Sequence, residues 1–350
     1  MEVDMGKVTI QSMAKDLGLS RNTVSLALKN SDLVSPKTQE IVFRYAAKVG
    51  YIDSVPQKEE AKNAKKPLYH IMILRKADEA VYWDKVINGI SREASKNNCQ
   101  IQVAVITDEE EEQGQLPLGL DEKICAVFCV KLLKWEYLKK IKDSGYYIFI
   151  LDDYKRTMGD TLGDVVRIEG IKPVSLLTQH LIEQGMRRIG FLNEHSNSYV
   201  TMHDRYIGYI EAMRQAGIEP ESELVKPDME SDHFYYQVSF DELVEEYRTT
   251  MPEAIVCGND QIAQSLTQAF RRRGIRVPED VAVTGFDDDE AERLDPFFST
   301  VHVNANWLGQ RMVQSFMWRM QNPEAPYEKI VVAGDVIIRR SSCKYMDVPE

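Results

Sequence analysis

Along the first fifty residues the apolar positions recur every three or four residues. Ile10, Met13, Ala14 and Leu17 form one stripe, Val24, Ala27 and Leu28 a second, and Ile41, Val42, Tyr45 and Val49 a third. Each stripe carries its own start and stop signals. Thr9, Ser20 and Ser35 suit helix N-caps, Pro36 suits a first helical position, and Gly18 and Gly50 suit turns. The spacing predicts three short helices with a tight turn at 18–20. The second helix would turn Arg21, Asn22, Ser25 and Lys29 outward, opposite its apolar back. A helix that packs on a partner while presenting hydrogen-bonding groups can read base edges in a major groove. An ordinary three-helix bundle fragment is the alternative that the pattern leaves open.

Residues 54–66, SVPQKEEAKNAKK, are polar and can build no core. From Leu68 onward short apolar runs alternate with helical patterns. The runs fall at 69–74, 101–106, 124–130, 147–151, 165–168, 188–192, 223–225, 254–257 and 281–285, with helical segments such as VSLLTQHLIEQG and IAQSLTQAFRRRG between them. This alternation predicts parallel sheets covered by helices. A glycine-ended helix followed by an apolar strand ending in two aspartates occurs at both 144–153 and 273–288, which points to two similar lobes. In such sheets a ligand sits at the carboxyl ends of the strands.

Composition sets outer limits on these elements. A chain of 350 residues, 43% hydrophobic and 28% charged, is long enough for two or three domains with real cores. No apolar run reaches the roughly 18 residues a membrane span requires. The opening MEVDMGK lacks a basic region followed by an apolar stretch, so no secretory signal is expected and the protein is expected in the cytoplasm. Five scattered cysteines fit reduced thiols there, and Cys125 and Cys129 are expected on one core face of a strand. The net charge of −12 argues at first against a nucleic-acid partner. Residues 1–66, however, carry 11 basic and 8 acidic side chains, so the acidic excess belongs to the larger remainder. Attraction to phosphates should be weak per protomer, and tight binding would need two protomers on one site.

The run VTIQSMAKDLGLSRNTVSLALKNSDLVSPKTQEIV (8–42) closely resembles the N-terminal signature of the lactose-repressor family of bacterial transcription regulators. HLIEQGMRRIGFL (180–192), DRYIGYIEAM (204–213), CGNDQIA (257–263), GIRVPEDVAVTGFDD (274–288) and FSTVHVN (298–304) resemble the effector domain of the same family. The resemblance implies an α/β protein: a three-helix helix-turn-helix DNA-binding domain at 1–53, a linker or hinge at 54–67, and a two-lobed periplasmic-binding-protein-like domain with parallel sheets at 68–342. Lobe one is expected at about 68–165 and 301–328, and lobe two at about 166–300 and 329–342. The expected DNA-binding residues are Thr9, Ser20, Arg21, Asn22, Thr23, Ser25, Leu26 and Lys29. Arg21 and Asn22 would read bases, Leu26 stands where relatives often carry arginine, and Ser20, Thr23, Ser25 and Lys29 would meet phosphates. In the effector domain the family positions fall on Arg205, Asn259, Asp260 and Asp287, and Tyr82 and Trp83 fall where relatives place aromatics at the cleft. Carboxylates, an amide and a planar guanidinium suit paired hydroxyls, and flat rings suit the apolar face of a sugar. Surface pairing for Arg205, loop or cap duties for Asp260 and Asp287, and core packing for an aromatic remain the alternatives.

The chain also departs from the family. Hinge positions usually apolar fall near Gln57 and Glu60, and a carboxylate cannot wedge into a minor groove. Pro173 and Val303 replace types more common in relatives, and the cluster 233–236 could line the cleft or pack under a loop. No HExxH, GxxxxGK[ST], GxSxG or CxxC motif is present, so neither an enzyme nor a cofactor or metal site is expected. In the acidic run 287–290 the first residue is expected on ligand and the rest in solvent. The resulting expectation is a homodimeric repressor of carbohydrate genes that binds a pseudo-palindromic DNA operator and answers to a sugar-like effector. A cytoplasmic sugar-binding or sugar-modifying protein with a weakened DNA-binding domain is the alternative.

Overall fold

The computed structural model describes residues 8–28, 34–51, 68–76, 81–131, 133–155, 161–194, 198–229, 240–248, 250–289 and 293–344. The chain divides into two compact units, Met1–Pro67 and Leu68–Glu350. Lys29, the linker positions Gln57 and Glu60, and the aromatic cluster 233–236 lie outside the described residues.

In the first unit the three helices are α1 (Ile10–Leu17), α2 (Arg21–Leu28) and α3 (Pro36–Lys48). Thr9 and Ser12 form a reciprocal capping box at α1, Gly18 ends that helix in the left-handed conformation, and the Ser35 hydroxyl accepts from Thr38 N at α3. Met13, Ala14, Val24, Ala27, Val34, Val42 and Ala46 form the core, so every helix contributes to it. The Tyr45 hydroxyl donates to Asp16 at 2.7 Å and ties α3 to α1.

The second unit opens with β1 (Tyr69–Arg75), α4 (Val81–Lys96), β2 (Cys99–Val105), α5 (Asp108–Gln113), β3 (Ile124–Cys129), α6 (Trp135–Asp143), β4 (Tyr147–Leu151) and β5 (Asp164–Ile168). It continues through α7 (Ile171–Glu183), β6 (Ile189–Glu194), α8 (Val200–Gln215), β7 (Val225–Met229), α9 (Phe240–Glu246), β8 (Ala254–Cys257), α10 (Asp260–Arg272) and β9 (Ala282–Thr284). The last elements are β10 (Thr300–His302), α11 (Ala305–Gln321), β11 (Lys329–Val332) and β12 (Asp335–Ile337). One parallel sheet has the order β11-β5-β4-β3-β1-β2, a second parallel sheet has the order β7-β6-β8-β9, and β10 pairs antiparallel with β12. The continuous apolar runs of β1 and β3 are those of strands buried on both faces. Helices α4 and α11 pack closely over the first sheet. A Cβ on Gly89 would lie 2.0 Å from the Asn306 carbonyl oxygen, and one on Gly309 would lie 2.1 Å from that of Val86. No helix among the described residues is long and apolar enough to cross a membrane.

Three expectations change. The strand Lys329–Val332 joins the edge of the first sheet beside β5 rather than the second lobe, and only the chain beyond it, from β12, runs with β10. A buried clamp directs it there: Arg319 donates from Nε and Nη2 to both Asp164 oxygens at 2.9 and 2.7 Å, and Asp164 also accepts from Glu328 N at 2.8 Å. The expected strand at 223–225 is a short 3-10 turn, Ser222–Leu224, with β7 starting at Val225. Cys125 and Cys129 face opposite sides of their sheet, because the pairing of β3 with β1 shifts register between His70 and Ile71 and one extra residue inverts the alternation.

Candidate functional site

In the first unit Arg21 and Asn22 occupy the first turn of α2 and are exposed, while Thr23, Ser25 and Leu26 are half-buried. Ser20 precedes the helix. Its hydroxyl accepts from Thr23 N at 3.0 Å and pairs with the Thr23 hydroxyl at 2.7 Å, so both side chains act at the helix end. Thr9 is engaged in the α1 capping box. Leu26 leans on the buried cluster rather than standing free of it.

In the second unit polar residues follow the carboxyl ends of β4, β8 and β9. Two of those ends place aspartates in the left-handed region that short polar side chains tolerate: Asp152 after β4 at φ 80°, and Asp287 and Asp288 after β9 at φ 102° and 57°. Arg205, on α8 and 4% exposed, reaches toward Asp287. Its guanidinium stacks on the Phe286 ring at 3.7 Å, donates from Nη1 to the Gly258 carbonyl, and meets Asp287 Oδ1 at a long 3.4 Å from Nη2. Its Nε is buried with no hydrogen-bond partner among the described residues. Such a donor is costly to leave unmet. The Asp287 carboxyl is pushed up to about 7, by burial first and by Asp289 and Glu194 after it, against the pull of Arg205.

Tyr82, on α4 of the first lobe, lies in the field of this group. Burial raises its phenol, with Asp287, Arg205 and Asp152 as its nearest charged influences. Trp83 meets the Tyr82 ring edge-on at 4.9 Å and packs in part against the core. Asp152 accepts from Thr201 N at 3.2 Å and from the Thr201 hydroxyl, so a first-lobe carboxylate caps a second-lobe helix. Burial pushes its carboxyl up to about 6 despite those hydrogen bonds.

The other two expected residues sit differently. Asn259 is the N-cap of α10: its side-chain oxygen accepts from Ile262 N at 2.8 Å, and its amide donates to Glu194 at 3.3 Å. Asp260, 3% exposed, accepts from the Thr300 hydroxyl at 2.8 Å and from Asp289 N at 2.9 Å. Gly285 is required beside it, since a Cβ there would lie 1.9 Å from Asp260 Oδ1. Asp260 thus brackets the loop that carries Asp287. Asp288, expected in solvent, is 3% exposed and held by Arg339 Nη1 at 2.6 Å and His302 Nδ1 at 2.9 Å. Its left-handed backbone turns it inward. Val303 and Pro173 are buried. Asp152 and Glu194 stand beside this candidate group and were not anticipated from the sequence. Each ends a strand beside the lobe boundary, and the doubled aspartates at 152–153 were the available signal for the first.

Fold and site together define a helix-turn-helix unit followed by a two-lobed binding domain. Residues 178–343 match the family model described as "Periplasmic binding protein-like domain". The chain is 23% identical over 342 residues to the HTH-type transcriptional repressor PurR of Pasteurella multocida (strain Pm70), covering 95% of this chain and 98% of that one. Among solved structures it shares its fold with a transcriptional regulator CelR–cellobiose complex (TM-score 0.67, 23% identity, 96% and 100% of the two chains). It also shares it with a lac repressor dimer bound to operator and the anti-inducer ONPF (TM-score 0.62, 19% identity, 96% and 99%). Over nearly its whole length the chain is thus similar to named transcriptional repressors, and its fold is that of LacI-type regulators.

Proposed function

We propose that the protein is a DNA-binding transcriptional repressor whose operator affinity is set by a small, polyol-like effector held between its two lobes. The observation that carries the effector reading is the buried Arg205 with its unmet Nε and its long contact to Asp287, facing Tyr82 from the other lobe. A guanidinium beside a carboxylate offers donors and an acceptor to neighbouring hydroxyls, and the Tyr82 and Trp83 rings suit the apolar face of a sugar. Asp260 and Asn259 hold the loops that position the pair, and their polar atoms already have protein partners.

The alternative of a sugar-modifying protein is not favoured, because relatives matching 95% of the chain are named repressors. On this reading residues 1–53 bind DNA, 54–67 link, and 68–342 bind effector and dimerise. Two protomers occupy a pseudo-palindrome in the cytoplasm, and Arg21 and Asn22 read bases. A ligand acts by binding one lobe arrangement more tightly than the other. Selection of bound fragments from random duplex DNA by the purified chain, repeated with a panel of sugars, tests the proposal. A pseudo-palindrome bound by two protomers, with an affinity that one sugar class shifts, is the expected result. Recovery of no common sequence would refute it.

A further inference from the structure

The second unit holds a cavity of about 320 Å³ outside the Arg205–Asp287 group, lined by Lys155, Arg167, Lys329, Asp153, Val200 and Val331 among others. Its walls come from both lobes. Arg167 lies on β5, and Lys329 and Val331 lie on β11 of the first sheet, while Val200 begins α8 of the second lobe. Residues 153–155 reach across: Val200 N donates to the Asp153 carbonyl at 2.9 Å, Lys155 N donates to that of Ser198 at 2.9 Å, and Tyr154 bridges to Tyr199.

The charges of this cavity do not cancel. Arg167 pairs with Asp204 at 2.5 Å and Lys329 with Asp153 at 2.5 Å. Among the described residues no carboxylate pairs with Lys155; its Nζ meets His203 Nδ1 at 3.1 Å. Burial and the Lys155 ammonium hold the His203 imidazole below its ordinary value, so the ring is neutral at neutral pH and accepts from the lysine. Among the described residues three cations therefore face two carboxylates, in a chain whose net charge is −12. The lysines and the arginine each retain donors beyond those engaged by the aspartates. Val331, 47% exposed, and Val200 add an apolar wall, and the volume exceeds what a bare ion needs.

We propose that this cavity is a second ligand site, for a small phosphomonoester, with Lys155 as its principal anchor and Arg167 and Lys329 as supporting donors. A dianionic head answers the unmatched charge, charge-assisted hydrogen bonds to three cations hold it, and the ester body lies against Val331 and Val200. The occupant touches both lobes. It also touches the 153–155 segment, whose neighbour Asp152 caps α8 at the effector cleft, so its binding biases the lobe arrangement that the effector reads.

Calorimetry of the full chain at fixed ionic strength tests this, with glycerol 3-phosphate as the probe, glycerol as the uncharged control and inorganic phosphate as the bare ion. One site per chain for glycerol 3-phosphate is expected, with affinity reduced at least about tenfold in Lys155→Gln and in the solvent-exposed Lys329→Gln, and no heat from glycerol. Absence of binding by the wild-type chain at 10-fold molar excess over about 1 mM sites, or affinity undiminished in both variants, would overturn the proposal. Equal affinity for inorganic phosphate would overturn the assignment to an ester.

Discussion

Two buried arginine–aspartate pairs in the second unit differ in how completely they are met. Arg319 and Asp164, 1% and 2% exposed, form a bidentate fork at 2.7 and 2.9 Å, and further donors of Arg319 reach the carbonyls of Asn322, Ala325 and Pro326. Arg205 and Asp287 approach only to 3.4 Å, and Arg205 Nε is unmet. The first pair closes on itself and fixes the route of the chain into β11. The second leaves donor and acceptor capacity facing the opposite lobe, which is the condition for taking a ligand. A charged pair that is saturated builds the fold, and one that is not can bind.

Removing one side of the saturated pair should have the largest effect. Arg319→Leu leaves Asp164 buried and uncompensated and should destabilise the fold by about 3–5 kcal/mol, read as a fall in urea midpoint. The double variant Arg319→Leu, Asp164→Leu should recover much of that loss. A single variant as stable as wild type would remove the clamp from the account. At the open pair, Arg205→Ala and Asp287→Ala should each weaken effector binding by about 1.5–3 kcal/mol, ten- to a hundredfold, while sugar-free operator binding persists. Calorimetry with the selected sugar measures this, and unchanged affinity in both folded variants would exclude the pair from the site.

The same distinction separates what the residues disclosed from what they withheld. Helix stripes, caps and the parallel αβ alternation were legible because each depends on local spacing. The candidate cleft residues, Arg205 and Asp287 among them, came from the family resemblance, and their geometry was not legible. Nothing local indicates that Asp260 faces Thr300, 40 positions away, or that Asp288 turns inward between Arg339 and His302. The partner of Lys329–Val332 was hidden for the same reason, since the clamp from Arg319 to Asp164 joins residues 155 positions apart.

In the first unit Ser20 and Thr23 satisfy each other, whereas Arg21 and Asn22 are exposed. Leu26 falls between these cases, half-buried against the core. Leu26→Arg should keep the unit folded and add a preference for guanine at one base pair per half-site, by about 1–3 kcal/mol. Helical content and melting must be measured beside base preference; a folded variant with unaltered preference would contradict the expected role of Leu26 at the operator.

Proton linkage gives a smaller effect. With its carboxyl pushed up to about 7, Asp287 is largely protonated at pH 6 and largely ionised at pH 8, and the ionised form is the better acceptor for hydroxyls. Effector affinity should therefore rise about tenfold from pH 6 to pH 8 in the wild type and stay nearly flat in Asp287→Asn. Fold stability runs the other way. The native state retains this proton up to about 7 while the unfolded chain releases it near 3.8, so the group's contribution declines as pH rises through that window. A flat affinity profile in the wild type would contradict Asp287 as an acceptor.

The central claim is that one molecule joins operator recognition to a ligand held by Arg205 and Asp287. Fluorescence anisotropy of the selected operator, titrated with full chain with and without the selected sugar, tests it directly in wild type and Asp287→Ala. The account predicts equal sugar-free affinity in the two proteins, and a sugar-dependent shift of at least about fivefold in the wild type alone. A wild type that binds operator with no response to any sugar in the panel, or a variant that responds as fully as the wild type, would contradict it.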